Sequence, residues 1–285
     1  MRIHLIDGTY ELFRAWFGAP PARTSDGREV GAVRALARQL LKHARVEALT
    51  HAGVAFDHVI ESFRNALFPG YKTGAGLDPR LLAQFEPAEE VTRALGFVVW
   101  PMIEFEADDA LASGAARLAA DPRVEQVRIL SPDKDLAQCV RGKRVVTVWK
   151  ERLLDEPAVR ERFGVAPASI PDFLALVGDE ADGIPGLAGF GERSAGALLG
   201  AFGHLEAIPA DPGAWPTGVR GAARLAATLA ARRDDALLYR TLATLRTDVP
   251  LVEDLEALAW RGPDPAALAR IAASLEDADL AARGR

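Results

Sequence analysis

The chain predicts an α/β fold, a mostly parallel sheet flanked by helices, followed by a smaller helical region. Three observations carry this expectation. Short apolar runs alternate with helix-period stretches through the first half, the pattern of strands joined by crossover helices. From about Pro167 onward no strand pattern is evident, and Ala, Leu and Arg dominate, punctuated by Gly and Pro. Acidic residues gather just after successive apolar runs, where open α/β sheets place their ligand sites.

Taken in order, residues 3–6, 52–56, 97–100, 127–130 and 145–149 read as strands. Between them Val33, Leu36, Leu40 and Leu41, and then Leu111, Ala115 and Leu118, recur at helical spacing. Beyond them, residues 209–218 read as a loop and the tail past Pro263 as helix-prone. The expected division is an α/β domain over 1–166 and a helical domain over 167–285, with no internal repeat.

Composition narrows the function classes. With 285 residues and 49% hydrophobic content the chain has ample material for a core. The lone Cys139 excludes an internal disulfide and a thiolate zinc site. His4, His43, His51, His58 and His204 show no ligand-like spacing. Asp7 comes too early for a signal peptide, and no stretch reaches the ~18 apolar residues of a membrane span, so a cytoplasmic protein with no membrane partner is expected. The net charge of −6 opposes nucleic-acid binding at first sight. Setting aside nine acids as a metal site leaves 31 of the 40, beside 34 bases, and the remaining surface is slightly positive.

Those acids carry the chemistry. The first predicted strand ends in Asp7, the second runs into Asp57, the third is followed by Glu106-Ala107-Asp108-Asp109 and the fourth by Ser131-Pro132-Asp133-Lys134-Asp135. One Asp between strand and helix is ordinarily an N-cap, and Asp109 and Asp135 each suit that role. Capping needs one acid per helix, however, and several crowd each of two junctions, where like charges repel unless a cation balances them. A site made of carboxylates alone suits hard cations, Mg²⁺ or Mn²⁺. Such ions keep phosphate oxygens among their ligands, and two of them roughly 3.5–4 Å apart activate a water and stabilise a leaving oxygen. Hydrolysis of a nucleic-acid backbone is the leading reaction.

Downstream, Gly178-Asp179-Glu180-Ala181-Asp182 adds two acids three residues apart, and the glycine-rich stretch 186–191 opens a helix running to about Phe202. Small residues before a helix start let a phosphate approach backbone amides at the positive helix end. A tight turn between packed helices is the alternative at equal weight. As a dinucleotide fingerprint the segment Gly189 to Ser194 fails, lacking the third glycine and a preceding strand.

In order and spacing, Leu5-Ile6-Asp7-Gly8, Phe56-Asp57, Ser62-Phe63-Arg64, Gly70-Tyr71-Lys72, Glu106 to Asp109, Asp133-Lys134-Asp135-Leu136 and Gly178 to Gly191 resemble the 5′-nuclease family. That family includes the 5′→3′ exonuclease domain of bacterial DNA polymerase I, phage exonucleases and flap endonucleases. The resemblance covers roughly residues 1–250. It implies a PIN-like nuclease domain, then a helix-three-turn-helix DNA-binding domain with a potassium ion at its Gly-rich hairpin. Carried over by motif, Asp7, Asp57, Glu106, Asp108 and Asp109 hold the catalytic metal, and Asp133, Asp135, Asp179 and Asp182 form a second, looser group. Lys72 and Arg64 match basic residues that lie over the scissile phosphate, so the catalytic set is Lys72, Arg64, Asp7, Asp108 and Asp109. Arg64, Tyr71, Lys72, Arg80, Gly186, Gly189, Gly191 and Arg193 are the expected DNA contacts, with Tyr71 stacking on a frayed base. The implied partners are DNA with a 5′ flap, nick or single-stranded 5′ end, and RNA of RNA–DNA hybrids, bound by a monomer.

The chain departs from the family pattern at Thr9 and Tyr10, where polar or histidine residues are usual, and at Gly183, where Asn is frequent. Residues 73–80 lack a further basic residue that relatives carry just past Lys72, leaving Arg80 as the nearest substitute. No polymerase domain follows, so a stand-alone nuclease, or a relative acting beside a polymerase, is expected. Three rivals stand against it. A catalytically silent DNA-structure-binding protein predicts missing acids, a PIN-type ribonuclease predicts a shorter chain without the hairpin, and a small-molecule phosphohydrolase has no use for residues 186–191.

Overall fold

In the computed structural model, which describes residues 1–149 and 152–283, the chain divides into two compact units. Unit one comprises Met1–Ser62, Gly74–Ser131 and the residues from Thr247 on, and unit two comprises Phe63–Thr73 and Pro132–Arg246. This differs from the expected boundary at 166/167. The segment from Pro132 packs its apolar residues with the helices that follow it, and the C-terminal tail returns to unit one: Leu268, Ala272, Leu275 and Leu280 share a core with Leu36, Leu40 and Val91.

Unit one is built on four parallel strands, β1 (Arg2–Asp7), β2 (His51–Asp57), β3 (Val98–Met102) and β4 (Gln126–Leu130), in the spatial order β3-β2-β1-β4. In β1 every residue after Arg2 is buried, as expected of a parallel strand covered on both faces. The helices Gly8–Gly18 and Gly31–Val46 connect β1 to β2, the helix Phe85–Ala94 precedes β3, and the helix Ala107–Ala120 connects β3 to β4. Val33, Leu36, Leu40 and Leu41, the stripe read from the sequence, are all buried. All four expected strands of this unit are present: β1, β2 and β4 run one or two residues longer than expected, and β3 starts one residue later and ends two later. Because they run in one direction, their C-terminal ends share one edge, and Asp7 and Asp57 are the last residues of β1 and β2.

The composition of the helix Ala107–Ala120 has a packing reason. Trp100 of β3 lies between two glycines: a Cβ on Gly53 of β2 would come 2.8 Å from the indole, and one on Gly114 of this helix 3.0 Å. The indole Nε1 donates to Glu253 Oε2 at 2.8 Å, which pins the ring.

Unit two contains the antiparallel pair β5 (Val145–Trp149) and β6 (Arg152–Leu154) and the helices Phe63–Leu67, Glu156–Phe163, Ile170–Val177, Glu192–Phe202, Ala222–Ala231 and Arg233–Ala243. β6 had no counterpart in the sequence reading, since three residues are too few for a period to register. Among the described residues no strand follows β6, and the tail forms the helices Pro265–Ser274 and Ala278–Arg283. The expected loop at 209–218 contains one short 3₁₀ turn, Pro212–Ala214. No helix among the described residues is long and apolar enough to cross a membrane.

The Trp100 packing generates a test. Alanine suits a strand better than glycine does, yet Gly53→Ala should lower stability by about 1–3 kcal/mol because the pinned ring has no room to give. Urea unfolding followed by tryptophan fluorescence measures it, and an unchanged midpoint would contradict the packing.

Candidate metal centre

The acids of unit one are gathered by strand register and by short polar contacts. Asp7 Oδ1 accepts from the Tyr10 amide at 2.8 Å, and Oδ2 accepts from the Ser131 hydroxyl at 2.9 Å. Asp57 Oδ1 accepts from the Ala107 amide at 2.8 Å, tying the end of β2 to the start of the helix Ala107–Ala120. The Asp57 amide donates in turn to Thr9 Oγ1 at 2.8 Å. At that helix start Glu106 Oε1 accepts from the Ser62 hydroxyl at 2.6 Å, and Asp109 Oδ2 accepts from the Glu106 amide at 3.1 Å. Asp7, Glu106 and Asp109 are buried, while Asp57 and Asp108 are partly so. Capping is therefore part of what Asp7 and Asp109 do, and it accounts for two of the five acids at these strand and helix ends.

In unit two the acids come closer still. Asp133 Oδ1 accepts from the Asp135 amide at 2.9 Å, an Asx turn that opens the 3₁₀ helix Asp135–Cys139. Asp179 and Ile184 exchange two backbone hydrogen bonds of 2.8 Å and so close a turn carrying both Asp179 and Asp182. Gly183 adopts φ +73° there, the left-handed region that Gly and Asn tolerate, which accounts for glycine at a position where Asn is frequent. Asp135, Asp179 and Asp182 each present an oxygen within 4.8 Å of the others, and all three are buried. Asp135 Oδ1 has no hydrogen-bond partner among the described residues.

Two ammonium groups touch this set: Lys72 Nζ lies 2.8 Å from Asp182 Oδ1, and Lys134 Nζ lies 3.0 Å from Asp179 Oδ2. They do not suffice. Burial above all, with repulsion from Asp182, raises the Asp133 carboxyl above its ordinary value. Burial followed by repulsion from Asp133 raises Asp135 well above it. A buried, all-oxygen, under-neutralised donor set with one orphaned carboxylate oxygen fits a hard divalent cation.

Two expected substrate contacts are placed elsewhere. Arg64 is 1% exposed, with Nε donating to Leu242 O at 2.8 Å and Nη2 to Thr244 O at 3.1 Å. Two guanidinium nitrogens thus serve carbonyls at the end of the helix Arg233–Ala243, which need donors. Tyr71 is 4% exposed and belongs to the apolar core of unit two, so its ring is not open to a base. The remaining contacts vary in exposure. Arg80 is exposed and held by Asp78, its guanidinium 5.7 Å from the Trp16 ring. Arg193, Gly189 and Gly191 are exposed at the start of the helix Glu192–Phe202. Gly186 is buried, and a Cβ on it would meet the backbone of Val177 and Gly178 at 2.5–2.7 Å, so its role is the tight turn. Thr9, Ser62, Ser131 and Lys134 lie within or next to the quoted motifs, but the sequence reading gave them no role; their contacts with Asp57, Glu106, Asp7 and Asp179 appear only in the folded chain.

Comparison with known proteins agrees with this architecture. Residues 2–164 match the family described as "5'-3' exonuclease, N-terminal resolvase-like domain", and residues 165–266 match "5'-3' exonuclease, C-terminal SAM fold". The chain belongs to the 5′-3′ exonuclease family. A 5′-3′ exonuclease of Aquifex aeolicus is 30% identical over 264 residues, covering 92% of this chain and 88% of that protein. DNA polymerase I of Pseudomonas aeruginosa is 38% identical over 276 residues, covering 95% of this chain but 30% of the polymerase. The chain thus spans about a third of the length of such polymerase relatives. Among solved structures, bacteriophage T5 D15 flap endonuclease, in a complex with DNA and metal ions, superposes with a TM-score of 0.66 over 99% of this chain and 100% of that one. At 18% identity this likeness shows the shared fold.

The raised carboxyls of unit two give a pH prediction. Asp133 and Asp135 hold a proton more tightly folded than unfolded, so their contribution favours folding below the ordinary carboxylate range and is lost as pH rises through the raised values. A cation that balances their charge removes that loss. Millimolar Mg²⁺ should therefore raise the melting temperature by more at about pH 8 than at about pH 5. Melting curves with and without Mg²⁺ at both pH values check it.

Proposed function

We propose that this member of the 5′-3′ exonuclease family is a divalent-cation-dependent nuclease that hydrolyses phosphodiester bonds in DNA bearing a 5′ end or a 5′ flap. The observation that carries the reading is the buried Asp135–Asp179–Asp182 set with its orphaned Asp135 Oδ1, an oxygen-only donor set that needs a hard cation. The five acids of unit one extend the same logic to the edge formed by β1, β2 and the helix Ala107–Ala120. Mg²⁺ or Mn²⁺ is the cation, one ion for each set, and it supplies an activated water and stabilisation of the leaving oxygen.

The chain's own residues do the rest. Asp7, Asp57, Glu106, Asp108 and Asp109 bind and orient, held in place by Ser131, Ala107 and Ser62. Lys72 is partly exposed beside Asp182, placed to meet a phosphate oxygen as charge develops on it. The turns at 186–191 and the first amides of the helix Glu192–Phe202 grip a duplex phosphate without reading a base, with Arg193 beside them. A potassium ion at those turns, a monomeric state, a cytoplasmic address, and acceptance of the RNA strand of a hybrid belong to the same reading through the family resemblance. So does the assignment of catalysis to the α/β domain and of duplex binding to the helical one.

The experiment is incubation of the purified protein with labelled 5′-flap DNA, single-stranded DNA and RNA, with and without Mg²⁺. Cleavage of flap DNA that requires the metal is expected, and metal-independent or absent cleavage of every substrate would overturn the proposal.

Two sets of variants sharpen it. Asp108→Ala and Asp109→Ala should each lower the single-turnover rate by about a hundredfold or more while DNA binding persists. Asp109→Ala should also lower the melting temperature, because Asp109 accepts from the Glu106 amide. At the hairpin, Gly189 has φ +91°, so a side chain there is strained, whereas Gly191 has extended backbone and open space around its Cα. Gly191→Val should therefore weaken duplex binding and flatten its salt dependence without lowering the melting temperature. A salt-titrated binding assay beside a melt distinguishes this from a turn-only role.

A further inference from the structure

Lys134 sits in the chain between two of the acids, Asp133 and Asp135, yet its side chain reaches across unit two to Asp179 Oδ2 at 3.0 Å. The other oxygen of Asp179, Oδ1, accepts from the Ala181 amide at 3.1 Å. Oδ2 is therefore the oxygen that carries the uncompensated charge, and an ammonium is on it. Lys72 stands in the same relation to Asp182 Oδ1.

We propose that Lys134 is a built-in counter-ion that competes with the divalent cation for the Asp135–Asp179–Asp182 set, so that loading this set requires the ammonium to give way. The inference rests on the reading of the set as a cation site. Its physical basis is that an oxygen cannot give its full charge to two cations at once, and that a dication and an ammonium held against neighbouring oxygens repel each other. Lys134 also limits the charge that the buried acids bear whenever the cation departs, which lets the set release and reload its ion without unfolding the turn at Asp179–Ile184. Affinity is exchanged for reversibility. Lys134 acts through the cation site and touches no substrate, so it is a tuning residue and not a catalytic one.

A plain structural strap between the 3₁₀ helix Asp135–Cys139 and that turn is the competing account, and the two differ in what they do to metal affinity. The test uses Mn²⁺ as the probe, with the free ion followed by electron paramagnetic resonance and the protein by thermal melting. Lys134→Met keeps the length of the side chain and removes its charge, and Lys134→Gln replaces it if the Met variant does not fold. The full chain carrying Lys134→Met should bind Mn²⁺ at this set about tenfold more tightly or better, the effect expected of removing one adjacent charge. It should also melt lower without metal and gain more from Mn²⁺, while Lys134→Arg should behave as the parent does. Asp179→Asn serves as the reference and should remove one bound Mn²⁺. If Asp179→Asn removes an ion but Lys134→Met leaves affinity unchanged or weaker, Lys134 is a strap and the proposal is wrong. If Asp179→Asn leaves the number of bound ions unchanged, the cation-site reading itself fails, and this inference fails with it.

Discussion

Carboxylates buried beside one another repel, and hydrogen bonds from neighbouring amides offset only part of that cost. Much of this structure is organised around that constraint. In unit one the acids stand at the ends of parallel strands and at a helix start, where amides of Tyr10 and Ala107 and hydroxyls of Ser62 and Ser131 hold them. In unit two, two lysines reduce the charge, and among the described residues one carboxylate oxygen has no hydrogen-bond partner.

Parallel strands make the gathering possible. In β1 and β2 the register sets Asp7 opposite Ala55, so two consecutive C-terminal ends lie together and the chain must turn into a helix beyond each. Helix starts need acceptors and welcome negative charge. Capping and cation binding therefore draw on the same residue type at the same place, and Asp7 and Asp109 do the first in a form that leaves room for the second. The second set uses irregular backbone instead: an Asx turn at Asp133 and the glycine-dependent turn at Asp179–Ile184. These turns bring three carboxylate oxygens within 4.8 Å of one another from distant segments.

Basic and aromatic residues near a motif behave differently from its acids. Arg64 and Tyr71 lie in stretches that resemble substrate-contacting segments, yet both are interior, one bonded to the carbonyls of Leu242 and Thr244 and the other in the core of unit two. An arginine can satisfy helix-end carbonyls as well as a phosphate, and a tyrosine can fill a core as well as stack on a base. Lys72, one residue on from Tyr71, points instead to Asp182. The alternation of neighbours in a loop cannot be read from residue type.

What the sequence by itself determined is the parallel-strand core and the places where acids follow its strands. The four parallel strands, the buried stripe of the helix Gly31–Val46, the absence of strands after β6 among the described residues, and the positions of Asp7 and Asp57 at strand ends were all legible. Hydrophobic period and local turn chemistry are short-range signals, and these features depend on nothing longer. Tertiary structure alone decided which side chains meet. The return of the C-terminal tail to the core of unit one, the pairing of Lys134 with Asp179, the hydroxyls of Ser62 and Ser131 on Glu106 and Asp7, and the enclosure of Arg64 all join residues far apart in the chain. Such contacts are set by how whole elements pack, and a single sequence holds no periodic trace of them.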